Sequence, residues 1–224
     1  MTIFPEHNAN MVACAVLVDC SGSMSVELAP GFSRIEALMA GLEVLSREMK
    51  SDPTVRNAVE VSVIDFGGKK PHGASLIQNW TYARDFSAPK LEAVGSTPLG
   101  EALLLGLEKA TKKKAAYRHE GRPYCRPWII VISDGQPTDS DPKWAEAVQA
   151  AKNAIGAKEA LILTVGIDGC PLDKLSQIST YPARPLSSHR FSEFFLWLSA
   201  SMGSTSSSSD SKEQLASTDP WSRP

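Results

Sequence analysis

The sequence lacks the features that would place it in or across a membrane. No apolar run approaches the ~20 residues that a membrane-spanning helix needs. Residues 1–10 contain no basic start followed by an apolar stretch, so they do not resemble a secretory signal peptide. These absences predict a soluble protein that stays in the cytoplasm.

A large excess of one charge is also lacking. The 224 residues include 23 Lys plus Arg and 25 Asp plus Glu, so the net charge is close to zero. Proteins that bind nucleic acid or an anionic membrane usually carry a strong positive potential. The charge balance therefore argues against both kinds of partner.

Cysteine is scarce, and its spacing does not suit a zinc site. Cys14, Cys20, Cys125 and Cys170 form no C-x-x-C pair, whereas zinc sites usually contain closely spaced ligand pairs. Cys14 lies in an apolar run and is predicted to be a small buried hydrophobic residue. Unpaired, reduced thiols are the preferred interpretation, and they suit a reducing compartment.

Several segments have the composition of β-strands. Three apolar runs are typical of strands that are buried on both faces of a parallel sheet: residues 12–18, 128–133 and 160–167. Residues 58–66 alternate β-branched and polar side chains before Gly67-Gly68, which predicts a strand and a turn. Residues 75–81 predict a shorter strand that pairs with it as an antiparallel edge.

Helical patterns separate these strands. Ser33 and Glu36 have the spacing of a capping box, which predicts a helix that continues to residue 50. Thr97-Pro98 predicts the start of another helix, with Thr97 as N-cap and Pro98 at the first helical position. Further helices are predicted over residues 141–155, 172–178 and 191–202. Strands that alternate with helices predict an α/β fold with a Rossmann-like, doubly wound, mostly parallel sheet flanked by helices on both faces.

The composition also suggests where the domain ends. Residues 1–10 are predicted to be an N-terminal extension, and residues 11–202 to form one domain. Residues 203–224 begin with a low-complexity serine-rich stretch and contain few apolar side chains. Such a segment cannot bury enough surface to offset the entropy of ordering, so it is predicted to be a flexible tail.

Oxygen-bearing side chains follow two of the buried strands and precede a helix. Asp19, Ser21 and Ser23 come directly after the first strand, Thr97 lies at a predicted helix start, and Asp134 follows the strand at 128–133. In doubly wound sheets, ligands bind beyond the carboxyl ends of the strands, where the strand order reverses. If the two strands are central neighbours, these five side chains converge.

Two carboxylates and three hydroxyls form a set of hard oxygen ligands. Such a set favours Mg²⁺, Mn²⁺ or Ca²⁺ over zinc, which prefers sulfur and imidazole. The set does not complete an octahedron, so water or an acidic side chain of a protein partner would supply the sixth ligand. Each motif also has a simpler interpretation: residues 19–23 as a turn with a capping serine, Thr97 as an N-cap and Asp134-Gly135 as a turn dipeptide. Their combination in chain order favours the metal site.

A D-x-S-x-S motif after the first strand, a distant threonine and a later Asp-Gly pair resemble the metal-ion-dependent adhesion site of von Willebrand factor A-type (VWA) domains. The resemblance implies that Asp19, Ser21, Ser23 and Thr97 contact the ion directly or nearly so. It implies that Asp134 acts through water. It also implies the Rossmann-like VWA fold.

Residues 96–103, 134–139 and 194–201 show a narrower resemblance to the TerY-like VWA proteins of bacterial tellurium-resistance and stress loci. This similarity extends from about residue 12 to residue 202. It implies a signalling scaffold that works with a serine/threonine kinase and a PP2C-type phosphatase.

Other functions fit the sequence less well. Asp19 could be a phosphoryl-accepting nucleophile, as in haloacid-dehalogenase-like phosphatases, but those enzymes carry D-x-D and Ser21 stands where the second Asp is needed. The sequence has neither a phosphate-binding loop nor a G-x-S-x-G elbow, and its four histidines form no evident dyad. A binding protein is therefore predicted rather than an enzyme.

Two further binding roles stay open as weaker alternatives. An extracellular adhesion module fits poorly with unpaired cysteines and with the lack of a signal sequence. A cytoplasmic partner of an ATPase is not distinguished by the sequence from a partner of a kinase and a phosphatase. Residues 112–126 contain six Lys and Arg, and they are predicted to be a solvated helix end and loop rather than a binding patch.

Overall fold

A six-stranded sheet with helices on both faces forms the centre of the protein. The computed structural model describes residues 9–68, 73–208 and 214–216. The strands are β1 Val12–Asp19, β2 Glu27–Ala29, β3 Phe32–Ser33, β4 Val59–Phe66, β5 Ala74–Tyr82, β6 Trp128–Ser133, β7 Leu161–Ile167 and β8 Arg184–Leu186. The helices are α1 Arg34–Ser51, α2 Val55–Ala58, α3 Leu99–His119, α4 Asp141–Gly156, α5 Leu172–Gln177 and α6 Phe191–Ser206.

The strand order of the large sheet is β5-β4-β1-β6-β7-β8. All neighbouring strands are parallel except β5, which runs antiparallel to β4 at the edge. The chain leaves β1 toward β4 and β5 on one side and toward β6, β7 and β8 on the other. The order therefore reverses beside β1, and the predicted Rossmann-like, mostly parallel α/β fold with an antiparallel edge is confirmed.

Successive side chains of β1 point to opposite faces of the sheet, and helices cover both faces. Cys14 and Val16 belong to a hydrophobic cluster that contains side chains of α1 and α6. Leu17 belongs to a second cluster with side chains of α3 and α4. Helix α3 approaches this face closely at Gly106, where a Cβ atom would lie 3.2 Å from a methyl group of Leu17. A strand that is buried on both faces is apolar throughout, as its sequence predicted.

The start of α3 differs from the prediction. The helix begins at Leu99, and Thr97 does not cap it. Instead, the Asp139 carboxylate accepts hydrogen bonds from the backbone N–H groups of Gly100 (2.9 Å) and Glu101 (3.1 Å). A carboxylate at a helix N-terminus satisfies amide groups that have no partner inside the helix and also stabilises the helix dipole. The cap comes from a distant loop, so the local Thr-Pro pattern did not reveal it.

The end of α6 lies beyond the predicted domain boundary at residue 202. The helix continues to Ser206, and Thr205 and Ser206 are buried. The backbone N–H of Asn10 donates to the Ser206 carbonyl (2.9 Å), and the Ser206 hydroxyl donates to the Asn10 carbonyl (2.9 Å). These contacts supply partners for a polar segment whose composition alone predicted a flexible tail. Residues 1–8, 209–213 and 217–224 of the predicted extension and tail lie outside the described residues.

Three short elements were not predicted: the β2–β3 hairpin, α2 and β8. The hairpin turns at Gly31, which has a φ of +73°, and the backbone N–H of Arg34 donates to the Val26 carbonyl (3.0 Å). This closure places Arg34 at the first position of α1. Among the residues that the structure describes, no helix combines the length and hydrophobicity that crossing a bilayer requires.

The basic segment at 112–126 is held against the domain by its own contacts. Lys113 donates to the buried Glu60 carboxylate (2.6 Å), and Lys114 pairs with Glu159. The Arg122 guanidinium donates to the Tyr82 hydroxyl (2.7 Å). These three cations therefore have partners within the chain.

Candidate metal centre

Three loops meet at the carboxyl end of β1. The Cys20 N–H donates to the Phe66 carbonyl (2.8 Å), which ties the loop after β1 to the end of β4. The Gly22 N–H donates to the Gly95 carbonyl (2.9 Å), and the Gly95 N–H donates to the Gly67 carbonyl (2.7 Å). The loop before α3 is thereby fixed between the other two, close to the reversal of strand order where a ligand site is expected.

Gly67 allows these loops to come together. Its φ is +81°, a conformation that favours glycine, and a Cβ atom there would lie 2.0 Å from the Ser96 carbonyl oxygen and 3.0 Å from the Ser21 nitrogen. Both neighbours are backbone atoms, which cannot rotate away. The sequence predicted a turn at Gly67-Gly68, but the contact with Ser96 appears only in the folded chain.

Asp19 is the most enclosed group of the site. Its carboxylate accepts hydrogen bonds from the Ser21 backbone N–H (2.9 Å) and from the Ser133 hydroxyl (2.6 Å), and the residue is fully buried. Burial raises the pKa of Asp19 above its usual value, and the nearby charge of Asp134 raises it further, while these hydrogen bonds lower it. Both of these donors are neutral. Sequence reasoning missed Ser133, although it is a polar residue at the end of an otherwise apolar strand.

Ser21, Ser23 and Asp134 form a hydrogen-bonded chain beside Asp19. The two serine hydroxyl oxygens lie 2.9 Å apart, and the Ser23 hydroxyl donates to Asp134 Oδ1 (2.7 Å). The Asp134 side chain is fully buried, whereas Ser23 is exposed. The structure thus brings these predicted site residues together, and the cluster reaches the surface at Ser23.

Thr97 lies next to this cluster on the loop before α3. Its backbone N–H donates to the Thr138 hydroxyl (2.9 Å), and the Thr138 N–H donates back to the Thr97 carbonyl (2.9 Å). The Thr97 hydroxyl oxygen lies 3.6 Å from the position that a Cβ atom would take on Gly135. Since Gly135 follows Asp134, the fifth predicted residue is also at this end of the sheet.

Arg34 is a charged member of the site that the sequence analysis did not identify. Its Nη1 donates to Asp134 Oδ2 (3.0 Å), and its Nε donates to Asp168 Oδ2 (2.8 Å). Asp168 is held in turn by the Ser188 backbone N–H (2.9 Å) and hydroxyl (2.7 Å). Desolvation opposes ionisation of Asp168, but the hydrogen bonds from Ser188 and Arg34 outweigh it and lower the pKa of this carboxyl.

Sulfur does not contribute to this cluster. All four cysteines are buried and free, which confirms the predicted unpaired thiols. Burial raises the pKa of Cys170, whose thiol lies 3.7 Å from the Gly135 carbonyl, to about 11. Only a thiolate is a good metal ligand, so this neutral thiol is a poor one. Across residues 9–68, 73–208 and 214–216, no group of three or more His, Cys, Asp and Glu has the geometry of a metal site.

The oxygen set fits a hard divalent cation. It combines two carboxylates with hydroxyl groups, which are the ligands that such ions accept. The Ser23 hydroxyl donates its proton to Asp134 and therefore keeps a lone pair for an ion, as expected of a ligand that is oriented by a second carboxylate.

No histidine of the described residues is part of this cluster. His119 is the last residue of α3, and His189 lies in the short turn before α6. His7 and His72 lie outside the described residues. The arrangement of Asp19, with hydrogen bonds on both oxygens, suits a positioned ligand.

Residues 14–195 match the von Willebrand factor type A domain family. This region covers most of the chain, and it includes β1 and the loops that form the site. The chain therefore belongs to the von Willebrand factor type A domain family.

Solved structures with the same fold have diverse origins. They include the pilus adhesin SpaC from Lactobacillus rhamnosus GG (TM-score 0.70, 15% sequence identity, 89% of this chain and 31% of that chain). They include the N-terminal domain of TFIIH p34 (TM-score 0.59, 15% sequence identity, covering 86% of this chain and 99% of that chain). A third is proximal thread matrix protein 1 from the mussel byssus, with zinc in its MIDAS motif (TM-score 0.55, 16% sequence identity, covering 87% of this chain and 48% of that chain). At these identities the similarity establishes the fold alone.

The chain spans 31% of the length of the pilus adhesin and 48% of the length of the mussel protein. No curated protein matches it.

Proposed function

We propose that this protein is a metal-dependent protein-binding module. Asp19, Ser21, Ser23 and Thr97 would hold the ion, and Asp134 would act on it through water. The observation that carries this proposal is the fully buried Asp19 carboxylate, which has neutral hydrogen-bond donors and a second buried carboxylate nearby.

The charge of the buried Asp19 carboxylate favours a cation beside it. Burial of an ionised carboxylate without a counter-charge costs several kcal/mol. Within the described part of the chain, Arg34 pairs with Asp134, and no lysine or arginine forms an ion pair with Asp19. A divalent cation would compensate Asp19 and use the lone pairs of the serine hydroxyls. The site therefore favours cation binding.

The donor chemistry supports Mg²⁺, Mn²⁺ or Ca²⁺ as the ion. The mussel protein that shares the fold holds zinc in its own MIDAS motif, so zinc belongs in the same tests. When bound, the ion supplies a Lewis-acidic position near the exposed Ser23. An acidic side chain of a partner protein is suited to complete that position, because carboxylate oxygen is a preferred ligand of hard cations.

For the partner, we propose a serine/threonine kinase or a PP2C-type phosphatase in a bacterial stress or tellurium-resistance system, with the protein acting in the cytoplasm. Support for this finer assignment is the sequence resemblance of residues 96–103, 134–139 and 194–201 to the TerY-like proteins. Several proteins with the same fold are pilus adhesins and pilins. A binding role rather than catalysis is consistent with those neighbours.

Calorimetric titration of the chelator-treated protein with Mg²⁺, Mn²⁺ and Zn²⁺ tests the metal site. We expect the wild type to bind one ion and Asp19→Asn to lose at least about 100-fold in affinity, because loss of even a group that only orients a ligand typically costs 10–100-fold. Asp85→Asn is the matched control, since Asp85 is exposed and pairs with Arg84 in the loop after β5. Equal affinity of Asp19→Asn and wild type would refute the site.

The partner assignment needs a separate experiment. Purified kinase, phosphatase and cytoplasmic ATPase candidates would be titrated against the metal-loaded wild type, the chelator-treated wild type and Asp19→Asn. Binding of the kinase or the phosphatase only to the loaded wild type supports the proposal. Binding that survives both chelation and Asp19→Asn would show that the interaction does not use the ion, and metal-dependent binding of the ATPase alone would replace the proposed partner.

A further inference from the structure

The two oxygens of Asp134 have different partners. Oδ1 accepts the hydroxyl proton of Ser23 (2.7 Å), and Oδ2 accepts a guanidinium N–H of Arg34 (3.0 Å). With one oxygen directed to a serine of the metal site and the other to a cation, Asp134 connects the two. The side chain of Asp134 is fully buried, so solvent screens this arrangement little.

Arg34 is itself held in a fixed position. It is the first residue of α1 and lies inside the capping box, in which the backbone N–H of the N-cap Ser33 donates to Glu36 Oε2 (2.6 Å). Its Nε donates to Asp168, which Ser188 holds by two hydrogen bonds. Backbone and side chain are therefore both restrained, and the guanidinium cannot move away from Asp134 without loss of the bond to Asp168.

We propose that Arg34 is an internal cation of this site that sets how tightly the site binds its metal ion. This inference rests on the proposed metal-binding function. Arg34 neutralises Asp134, whereas Asp19 forms no ion pair with a lysine or arginine of the described residues. Arg34 also keeps Asp134 oriented toward Ser23 and away from direct coordination.

The sign of the effect follows from electrostatics. A guanidinium next to a ligand-positioning carboxylate repels a divalent ion and lowers the site's affinity for it. Its removal leaves Asp134 with an unpaired buried charge, which favours any cation that can reach it. The affinity of this site is therefore lower than the affinity that the same oxygen ligands would have without Arg34. An acidic side chain of a partner would then contribute more to retention of the ion.

Arg34→Gln and Arg34→Lys test this inference by calorimetric titration with Mn²⁺ at low salt. Arg34→Gln removes the charge and should raise the affinity about fivefold to tenfold, given the interaction of unit charges near a protein surface. Arg34→Lys keeps the charge but cannot bridge both carboxylates, so its gain should be smaller. The matched control is Arg47→Gln, because Arg47 lies on the same helix, is exposed and pairs with Glu48. This control should bind Mn²⁺ as the wild type does.

Thermal melting of the same variants provides a second readout. In chelator, Arg34→Gln should melt below the wild type, because Asp134 loses its partner, and saturating Mn²⁺ should raise its melting temperature more than that of the wild type.

The outcomes separate this inference from the proposed function. Mn²⁺ binding by the wild type with equal or lower affinity in Arg34→Gln would overturn the role of Arg34 and leave the metal site intact. Absence of Asp19-dependent binding in both the wild type and Arg34→Gln would overturn the metal site, and the role of Arg34 with it. Higher affinity in Arg34→Gln, with Arg47→Gln unchanged, supports the inference.

Discussion

Two buried carboxylates on neighbouring strands, Asp19 and Glu60, lie at opposite ends of the sheet. Glu60 is near the start of β4, and it accepts hydrogen bonds from the Lys113 ammonium (2.6 Å) and the Tyr117 hydroxyl (2.5 Å). Asp19 ends β1, and it accepts hydrogen bonds from a backbone amide and the Ser133 hydroxyl. Both residues are almost completely buried, but of the two only Glu60 forms an ion pair with a lysine or arginine of the described residues.

The two clusters differ in how their carboxylate charge is compensated. The Glu60 cluster is complete, and its charge is compensated by Lys113 inside the chain. The Asp19 cluster contains a second carboxylate, and the cation near it, Arg34, is paired with that second carboxylate. Among the described residues, Asp19 has no lysine or arginine in an ion pair, and this difference between the two ends of the sheet is the basis of the proposed metal site.

The largest expected effect comes from disturbing the loops that meet at the carboxyl end of β1. Gly67→Ala should lower the free energy of unfolding by about 1–2 kcal/mol for the left-handed backbone and by about 1–3 kcal/mol more for displacement of packed neighbours. It should also abolish metal binding, since Ser21 and Ser96 must move. Chemical denaturation and Mn²⁺ titration measure the two effects.

Gly31→Ala is the control for Gly67→Ala, because Gly31 has a φ of +73° and nothing within 4 Å of its Cβ position. Gly31→Ala should show only the destabilisation that comes from the left-handed backbone, without displacement of packed neighbours. Equal destabilisation by the two variants would mean that the contact with Ser96 does not hold the loops together.

The second prediction is that removal of a buried carboxylate charge changes stability in opposite directions at the two ends of the sheet. In chelator at neutral pH, Glu60→Gln should destabilise the protein by about 1.5–3 kcal/mol, because Lys113 loses a charged hydrogen-bond partner. Asp19→Asn should leave the stability unchanged or raise it: burial raises the pKa of Asp19, so its ionised form costs folding free energy. Thermal melting and denaturation in chelator measure both.

Metal titration completes this pair of variants. Glu60→Gln should retain the wild-type metal affinity, whereas Asp19→Asn loses it. If Asp19→Asn were the more destabilised variant in chelator, the Asp19 charge would be compensated by the protein and the contrast between the two ends would fail.

The smallest expected effect concerns the ion pair that restrains Arg34. Asp168 has a lowered pKa in the folded protein, so its ionised form stabilises the fold. That contribution is present above the unfolded-state pKa of ~3.9 and is lost as the pH falls through the lower folded-state pKa. In chelator, Asp168→Asn should therefore destabilise the protein by about 1 kcal/mol or less between pH 5 and pH 7, as is usual for a partly exposed pair. The difference from wild type should shrink below pH ~4, and a difference that grows there would contradict this role.

Much of the fold was predictable because its signals are local. The fully buried strands are apolar runs, and the Ser33–Glu36 capping box lies within four consecutive residues. The prediction failed where a partner comes from elsewhere in the chain. Asp139 caps α3 from a distant loop, and Asn10 supplies hydrogen-bond partners to the end of α6. The local Thr-Pro pattern assigned Thr97 to the cap, and composition assigned residues 203–206 to a tail, because neither of these distant contacts is visible in a short stretch of sequence.

The same division applies to the site. The sequence by itself determined the five oxygen-bearing residues and their places after strands and before a helix, because their spacing along the chain is the signal. Only the tertiary structure decided which charges compensate each other. Asp19 meets Ser133 from 114 positions away, and Arg34 meets Asp134 and Asp168 from 100 and 134 positions away. These pairings depend on the strand order beside β1 and on the closure of the hairpin before α1, and a local sequence pattern does not encode either.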